Sequence, residues 1–159
     1  MPASDASIQL REKSVDERQR WREVQSARYR NELLEAGNSP VAVEENIERN
    51  QAQLFVKDEP AAGQFIFDVI HDDEKVGNLW LGTRPGSDSE WWIYDIEIDE
   101  GFRGTGLGRP TLRAAEEFAR AHGATQLGLN VFGSNAVARH LYDAAGFRVK
   151  NVAMYKELA

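Results

Sequence analysis

The stretch that decides the fold is Arg103-Gly104-Thr105-Gly106-Leu107-Gly108. It follows an apolar, β-branched run that ends at Ile98 and precedes a segment with helical apolar spacing, so it predicts a turn between a strand and a helix. Glycines at alternate positions leave out the Cβ atoms where a ligand can approach the backbone. The exposed N–H groups and the helix dipole then form an anion site. Arg103 and Arg109 flank it and are expected to pair with phosphate oxygens.

The spacing of these glycines excludes two common nucleotide loops. A P-loop needs Lys and then Ser or Thr after its last glycine, whereas Arg109 and Pro110 follow Gly108. The dinucleotide fingerprint G-x-G-x-x-G does not match, and it usually follows the first strand of a parallel unit. A glycine-rich turn without a ligand is the bland alternative, and the strand–loop–helix context argues against it. The residues alone therefore predict a phosphate site whose ligand stays open.

Outward from the loop, apolar periodicity predicts a mixed α/β sheet with helices on both faces. The predicted strands are 8–11, 64–70, 76–83, 91–98, 125–131, 147–149 and 152–157. The predicted helices run from Ser14 to Gly37, from Ser39 to about 54, from 107 to 121 and from 135 to 145. The apolar face of the first helix is expected to consist of Trp21, Val24, Ala27 and Leu34.

Composition narrows the class of protein. The chain has 159 residues, no cysteine and a net charge of −7. This length predicts one domain, 1–159, with an N-terminal part at 1–62 and a core at 63–159. The negative charge disfavours nucleic-acid partners and favours a cationic small molecule or peptide. Neither a membrane helix nor a signal peptide is expected, and a cytoplasmic location fits. The scattered histidines have no metal-ligand spacing, so no metal is expected.

Two motifs extend this interpretation. The run from Ile96 through Gly108 carries R/Q-x-x-G-x-G/A after a strand. Residues 129–147 carry N-x-x-A-x-x-L-Y-x-x-x-G-F, from Asn135 to Phe147. In this order and at this distance they resemble the GNAT superfamily of N-acetyltransferases. The resemblance covers about residues 64 to 158, and the two N-terminal helices fit the family's variable substrate side.

The resemblance implies the GNAT fold, a central, mostly antiparallel sheet in which two strands splay into a V-shaped slot. The slot would hold a pantetheine arm against main-chain groups of β-strand 91–98, and the glycine loop would hold the pyrophosphate. A bulge is expected beside the splay. The implied acetyl-donor co-substrate is acetyl-CoA, with these binding residues: Ile96, Glu97, Ile98, Arg103, Gly104, Thr105, Gly106, Leu107, Gly108, Arg109, Asn135, Ala138 and Tyr142.

The resemblance also implies direct acetyl transfer to an amine, with Tyr142 protonating the departing thiolate. The base is predicted to be Glu97, with Asp95, Glu90 or a water relay as alternatives. Some relatives carry a carboxylate where this chain has Asn130, and an amide cannot act as a base. Structural alternatives remain open: Tyr142 as a core aromatic and Glu97 on a solvated strand face.

The predicted function is therefore acetyl-CoA-dependent N-acetylation of a primary amine on a small molecule or peptide. A non-catalytic acyl-CoA-binding or sensing module is the alternative, and a nucleotide-binding protein is a weaker one. Acceptor specificity is expected from the two N-terminal helices and the loop at 84–90. Trp80, Trp91 and Trp92 are expected to pack the sheet rather than to bind substrate. A homodimer is an option that the family raises.

Overall fold

The computed structural model describes residues 6–159. Its elements in chain order are β1 (Gln9–Glu12), α1 (Val15–Glu35), α2 (Pro40–Leu54), β2 (Phe55–Val56), β3 (Glu59–Pro60), β4 (Gln64–His71), β5 (Glu74–Thr83), β6 (Glu90–Ile98), a 3₁₀ turn (Glu100–Phe102), α3 (Gly108–Ala121), β7 (Gln126–Leu129) and α4 (Ala136–Ala144). Within the described residues, no helix is both long and apolar enough to cross a membrane.

The central sheet has five strands in the order β1-β4-β5-β6-β7. The first four are antiparallel to their neighbours, and β7 runs parallel to β6. The hairpin between β4 and β5 turns at Asp72 and Asp73, whose φ angles of 49° and 63° suit a type I′ turn. The prediction of a mixed, mostly antiparallel sheet is confirmed.

The two N-terminal helices begin where their capping residues predict. The Ser14 hydroxyl accepts from Glu17 N–H while the Glu17 carboxylate accepts from Ser14 N–H, which is a capping box. The Ser39 hydroxyl accepts from the N–H of Ala42, and Pro40 occupies the first turn of α2.

Both faces of the sheet are buried, each under different helices. One face packs against α3, with Leu79 and Leu112 fully enclosed. The other packs against α1 and the end of α2 through Trp21, Leu54 and Trp80. The prediction of helices on both faces is confirmed, and so is the packing role of Trp80 and Trp91, which are 5% and 3% exposed.

The burial of α1 differs from the predicted face. Val24 is 68% exposed and Leu34 is 40% exposed, whereas Gln25 and Leu33 are buried beside Trp21. The helix is therefore rotated relative to the stripe that apolar residues alone indicate. On the inward face of α1, Arg28 pairs with Asp95 and Glu97 of β6, next to the buried Trp21.

The chain after α4 also differs from the prediction. The predicted strands 147–149 and 152–157 are wrong, because residues 147–159 form no helix or strand. Their apolar side chains remain exposed, including Val152 at 71% and Met154 at 89%. Alternation is a local pattern, whereas a strand also needs a neighbouring strand to receive its hydrogen bonds. Tyr155 instead lies against Gly37, in the turn between α1 and α2.

Candidate active site

A groove with a volume of about 2080 Å³ runs between the two halves of the molecule. Its walls come from α1 and α2 on one side and from the ends of β6 and β7, the start of α3 and α4 on the other. The groove brings the predicted cofactor-binding residues together, apart from Thr105, which does not line it. Arg84 and Pro85 of the loop after β5, the loop after β7 and residues 149 and 151–155 after α4 also line the groove.

The slot in this groove results from where β6 and β7 stop pairing. Their parallel register begins at Glu90 opposite Gln126 and ends at Ile93 opposite Leu129. Beyond this point β6 continues to Ile98 without β7 as its neighbour. Main-chain groups of Ile96, Glu97 and Ile98 therefore lie along an edge that an extended ligand could pair with.

A bulge lies at the point where the strands part. On β5, Trp80 pairs with Asp95 while Leu81 pairs with Ile93, so Tyr94 is an extra residue on β6. Tyr94 stacks on Trp80, and Asp95 contacts Arg28 of α1. The bulge thus turns two consecutive side chains toward α1, where strict alternation would place them on opposite faces.

The glycine loop has the backbone that a phosphate cradle needs. Gly104 and Gly106 have φ angles of 74° and 81°, and a Cβ atom added to either would meet nothing within 4 Å. Leu107, the N-cap residue of α3, provides no capping hydrogen bond from its side chain. The first N–H groups of α3 are therefore free of a side-chain cap, an arrangement that can hold an anion.

The two arginines of the loop contact protein groups. Arg103 donates from Nε to the carbonyl of Ile98 at 2.9 Å and from Nη2 to Oε1 of Glu97 at 3.2 Å. Arg109 donates from Nη2 to the carbonyl of Ala144 at 3.2 Å, near the C-terminal end of α4. Their pairing with phosphate stays a prediction.

The second motif forms α4 and its two ends. Oδ1 of Asn135 accepts from the N–H of Ala138 at 3.1 Å, so the N-cap role is present. Gly146 ends the helix with a φ of 93°, and the N–H of Phe147 donates to the carbonyl of Tyr142. The Tyr142 ring packs edge-on against Phe147 at 5.8 Å.

The Tyr142 hydroxyl is protonated at neutral pH. Burial raises the pKa of its hydroxyl above the ordinary value of 10.0, and the negative charge of Asp95 raises it further. The phenol therefore stays protonated throughout the neutral range.

The carboxylates of β6 form a charged chain with arginines. Asp95 accepts from Nη2 of Arg28 at 2.5 Å, and Glu97 accepts from Nη1 of the same guanidinium. Glu97 also contacts Arg103, so the chain runs Asp95, Arg28, Glu97, Arg103. The side chain of Asp95 is 12% exposed and that of Glu97 is 28% exposed. Burial raises the pKa of Asp95, against the lowering effect of Arg28.

Arg28 is the residue of this site that the sequence does not indicate. The pattern that could have found it is the spacing of Trp21, Gln25, Arg28 and Glu32 on one face of α1. Without the position of β6, such a polar stripe is indistinguishable from a solvated helix face.

Aromatic residues and a further cation line the groove near the loop after β5. The guanidinium of Arg84 lies over the indole of Trp92 at 4.4 Å. Tyr94 donates to the carbonyl of Thr83 at 2.8 Å. Trp92 lines the groove, in contrast to the buried Trp91. No group of three or more His, Cys, Asp or Glu within residues 6–159 could hold a metal ion.

Comparison with known proteins identifies what the chain is similar to. A family model described as the acetyltransferase (GNAT) family matches residues 18–147. Two Bacillus subtilis relatives are described as uncharacterized N-acetyltransferases. YdgE is 32% identical over 116 residues, covering 72% of this chain and 74% of the relative. YycN is 37% identical over 90 residues, covering 56% of this chain and 58% of the relative.

Solved structures of similar fold include two that are described as acetyltransferases or as AAC(6')-Iy. The crystal structure of YycN superposes with a TM-score of 0.85 at 27% identity, covering 96% of this chain and 99% of that one. The structure of AAC(6')-Iy in complex with the bisubstrate analog CoA-S-monomethyl-acetylneamine has a TM-score of 0.58 at 17% identity, covering 96% and 99%. At that identity, the second likeness concerns the fold alone.

Proposed function

Because this chain belongs to the GNAT acetyltransferase family and is an acyltransferase, we propose that it moves an acetyl group from acetyl-CoA directly to a primary amine. The observation that carries the proposal is the meeting, in one groove, of an uncapped glycine loop, a protonated tyrosine and two carboxylates. The acceptor is an amine on a small molecule or peptide.

The shape of the loop and the slot supports acetyl-CoA as the donor. The open backbone at Gly104 and Gly106 suits a pyrophosphate, and the unpaired edge of β6 suits the amide-containing pantetheine arm. Asn135 and Ala138 line the same groove at the start of α4. When bound, acetyl-CoA supplies an activated acetyl group as a thioester.

The reaction requires two proton movements. An ammonium first loses a proton to a base, since only the neutral amine is a nucleophile. Its nitrogen then bonds to the acetyl carbon while the carbon–sulfur bond breaks. The departing thiolate takes the proton of the Tyr142 hydroxyl, and the proton released by the nitrogen restores that hydroxyl. A main-chain amide of β6 near Ile98 would stabilise the charge on the carbonyl oxygen.

Glu97 is the proposed base. Its carboxylate lines the groove and is more exposed than that of Asp95, so an amine or a bridging water can reach it. The position of Asp95, deep against α1, suits it better to hold Arg28 than to meet a substrate. Glu90 lies at the far end of β6, opposite Gln126, beyond the splayed part of the strand.

The acceptor side is assigned to the N-terminal part, residues 1–62, and to the loop at 84–90. Of these, described residues from α1, α2 and that loop line the groove opposite the glycine loop.

The test is an acceptor screen that follows release of the CoA thiol. Polyamines, aminoglycosides, amino acids and peptides are each incubated with acetyl-CoA and the protein, and the acetylated product is identified by mass. The proposal expects amine-dependent thiol release with one acetyl group added to nitrogen. If acetyl-CoA binds but no amine is acetylated, the chain is a binding or sensing module instead.

A further inference from the structure

Arg28 is the contact between the acceptor-side helix and the reacting strand. Its guanidinium forks, with Nη2 on Asp95 and Nη1 on Glu97. Its Nε lies 3.8 Å from Oε1 of Glu32, one turn further along α1. One planar cation thus holds two carboxylates that sit two residues apart on β6, an arrangement that suits arginine and not lysine.

The Asp95 end of this ion-pair arrangement is buried. Oδ2 of Asp95 and Nε1 of Trp21 are both buried without a hydrogen-bond partner. They lie close enough for the indole to lower the pKa of the Asp95 carboxyl, against the larger raising effect of burial. Asp95 therefore lies between Trp21 and Arg28, and its carboxylate holds the Arg28 guanidinium in place.

We propose that Arg28 is a positioning residue of the acetyl-transfer site, held by Asp95 so that it orients Glu97 and keeps that carboxylate ionised for the acceptor amine. This inference rests on the proposed function. Arg28 touches neither reacting group in it and acts through Glu97. Asp95 is the anchor of the same unit.

The charges around the two carboxylates define what Arg28 contributes. The groups that face them come from α1, α4 and the glycine loop: Arg28, Glu32 and the Trp21 indole, then Tyr142, then Arg103. Arg28 is the one cation among these that contacts both carboxylates. Without Arg28, Asp95 and Glu97 would be two like charges close together, and Arg103 would be the one cation of this group left on Glu97. Both changes favour protonation of the two carboxylates.

The experiment compares Arg28→Gln, Arg28→Lys and the wild type across pH, with an amine that the wild type acetylates. For Arg28→Gln we expect kcat/KM to fall about tenfold or more. We also expect the acid limb of its pH–rate profile to move up by about one pH unit, because an opposite charge nearby shifts the pKa of a carboxyl group by about that amount. Arg28→Lys should restore the acid limb of the pH–rate profile but only part of the rate, because the lysine ammonium cannot bind both carboxylates as the planar guanidinium does. Calorimetric binding of acetyl-CoA should not change.

Arg30→Gln is the matched control. Arg30 lies on the same helix and pairs with Glu44 of α2 at 2.7 Å, on the exposed side. It should leave both the rate and the pH profile as in the wild type. The melting temperature of each variant checks folding, and Arg28→Lys keeps the test usable if Arg28→Gln does not fold.

Two results would overturn the inference. An Arg28→Gln profile identical to that of Arg30→Gln would make Arg28 a structural residue only. A higher kcat/KM for cationic amines would show that Arg28 competes with the acceptor's ammonium. Both are distinct from failure of the proposed function, in which the wild type itself acetylates no amine and this inference falls with it.

Discussion

At the scale of single residues, the three glycines of the loop have two different roles. Gly104 and Gly106 adopt left-handed backbone conformations, with open space where a side chain would be. Gly108 is helical, and a Cβ atom there would lie 2.9 Å from Cδ2 of Leu141. The first two glycines leave the loop surface open where we propose that phosphate binds, and the third allows α3 to approach α4.

Gly106→Ala should therefore weaken acetyl-CoA binding. The substitution costs roughly 1–2 kcal/mol of backbone strain in a left-handed position and introduces a methyl group where the proposal places phosphate. We expect the calorimetric Kd for acetyl-CoA to rise about tenfold, the equivalent of 1.4 kcal/mol. Gly123→Ala is the control, because Gly123 has a φ of 90° and equally open surroundings at the end of α3. Equal Kd values for both variants would argue against phosphate at the loop.

Residues at motif positions were the part of the site that the sequence could predict. Gly106, Asn135 and Tyr142 follow from spacing, because a backbone conformation or helix end fixes each within a few residues. Arg28 did not follow, because its partners are 67 and 69 residues away. The contacts of Arg103 and Arg109 could not be predicted from the sequence either, because the partner of a long side chain is determined only in the folded chain.

At the scale of elements, β6 shows what a pattern can and cannot fix. Its aromatic and β-branched residues predict the strand, and its bounds of Glu90–Ile98 confirm the predicted 91–98 within a residue. The bulge at Tyr94 was expected from the family, but the residue that bears it was not. Packing of Tyr94 on Trp80 and of Asp95 on Arg28 selects the position.

Failures at this scale share one physical cause. The face of α1 and the strands predicted after α4 both rested on local periodicity. α1 instead places Gln25 inward, and residues 148–159 pair with no strand. In both cases the deciding contacts are with residues distant in the chain.

The pairing of β1 with β4 includes a buried ion pair that should govern acid stability. Asp68 and Lys13 are 2% and 5% exposed and contact each other, and Arg11 donates to Asp68 at 2.8 Å. Burial alone would raise the pKa of Asp68, but hydrogen bonds and charge from both cations outweigh it and lower the pKa. The stability it contributes is present above the unfolded value of about 3.9 and is lost as pH falls through the lower folded value.

Asp68→Asn should therefore destabilise the fold at neutral pH by about 3 kcal/mol, because Lys13 is left buried without an adjacent carboxylate. Its penalty should shrink as pH falls below 4. Urea unfolding at pH 7 and near pH 3 measures both effects. Glu44→Gln, which removes an exposed pair with Arg30, is the control and should leave the midpoint unchanged. A neutral-pH midpoint for Asp68→Asn equal to that of the control would contradict this account.

At the scale of the whole molecule, two layers of structure meet across one groove. The sheet with α3 and α4 forms the wall that holds the glycine loop and Tyr142, and α1 and α2 form the opposite wall. Arg28 links the two layers through β6. The fold class follows from the two motifs, since they determine a family and hence a topology. The acceptor does not follow from these motifs, because we propose that the N-terminal helices, which lie outside both motifs, select it.

The most direct test of the central claim is a paired measurement on Tyr142→Phe, of acetyl-CoA binding by calorimetry and of amine-dependent thiol release. The account predicts a Kd within about twofold of the wild type and a turnover lower by about a hundredfold, the usual contribution of a general acid. Wild-type turnover in this variant would contradict the assignment of Tyr142 as the acid and, with it, the account of how the groove transfers an acetyl group.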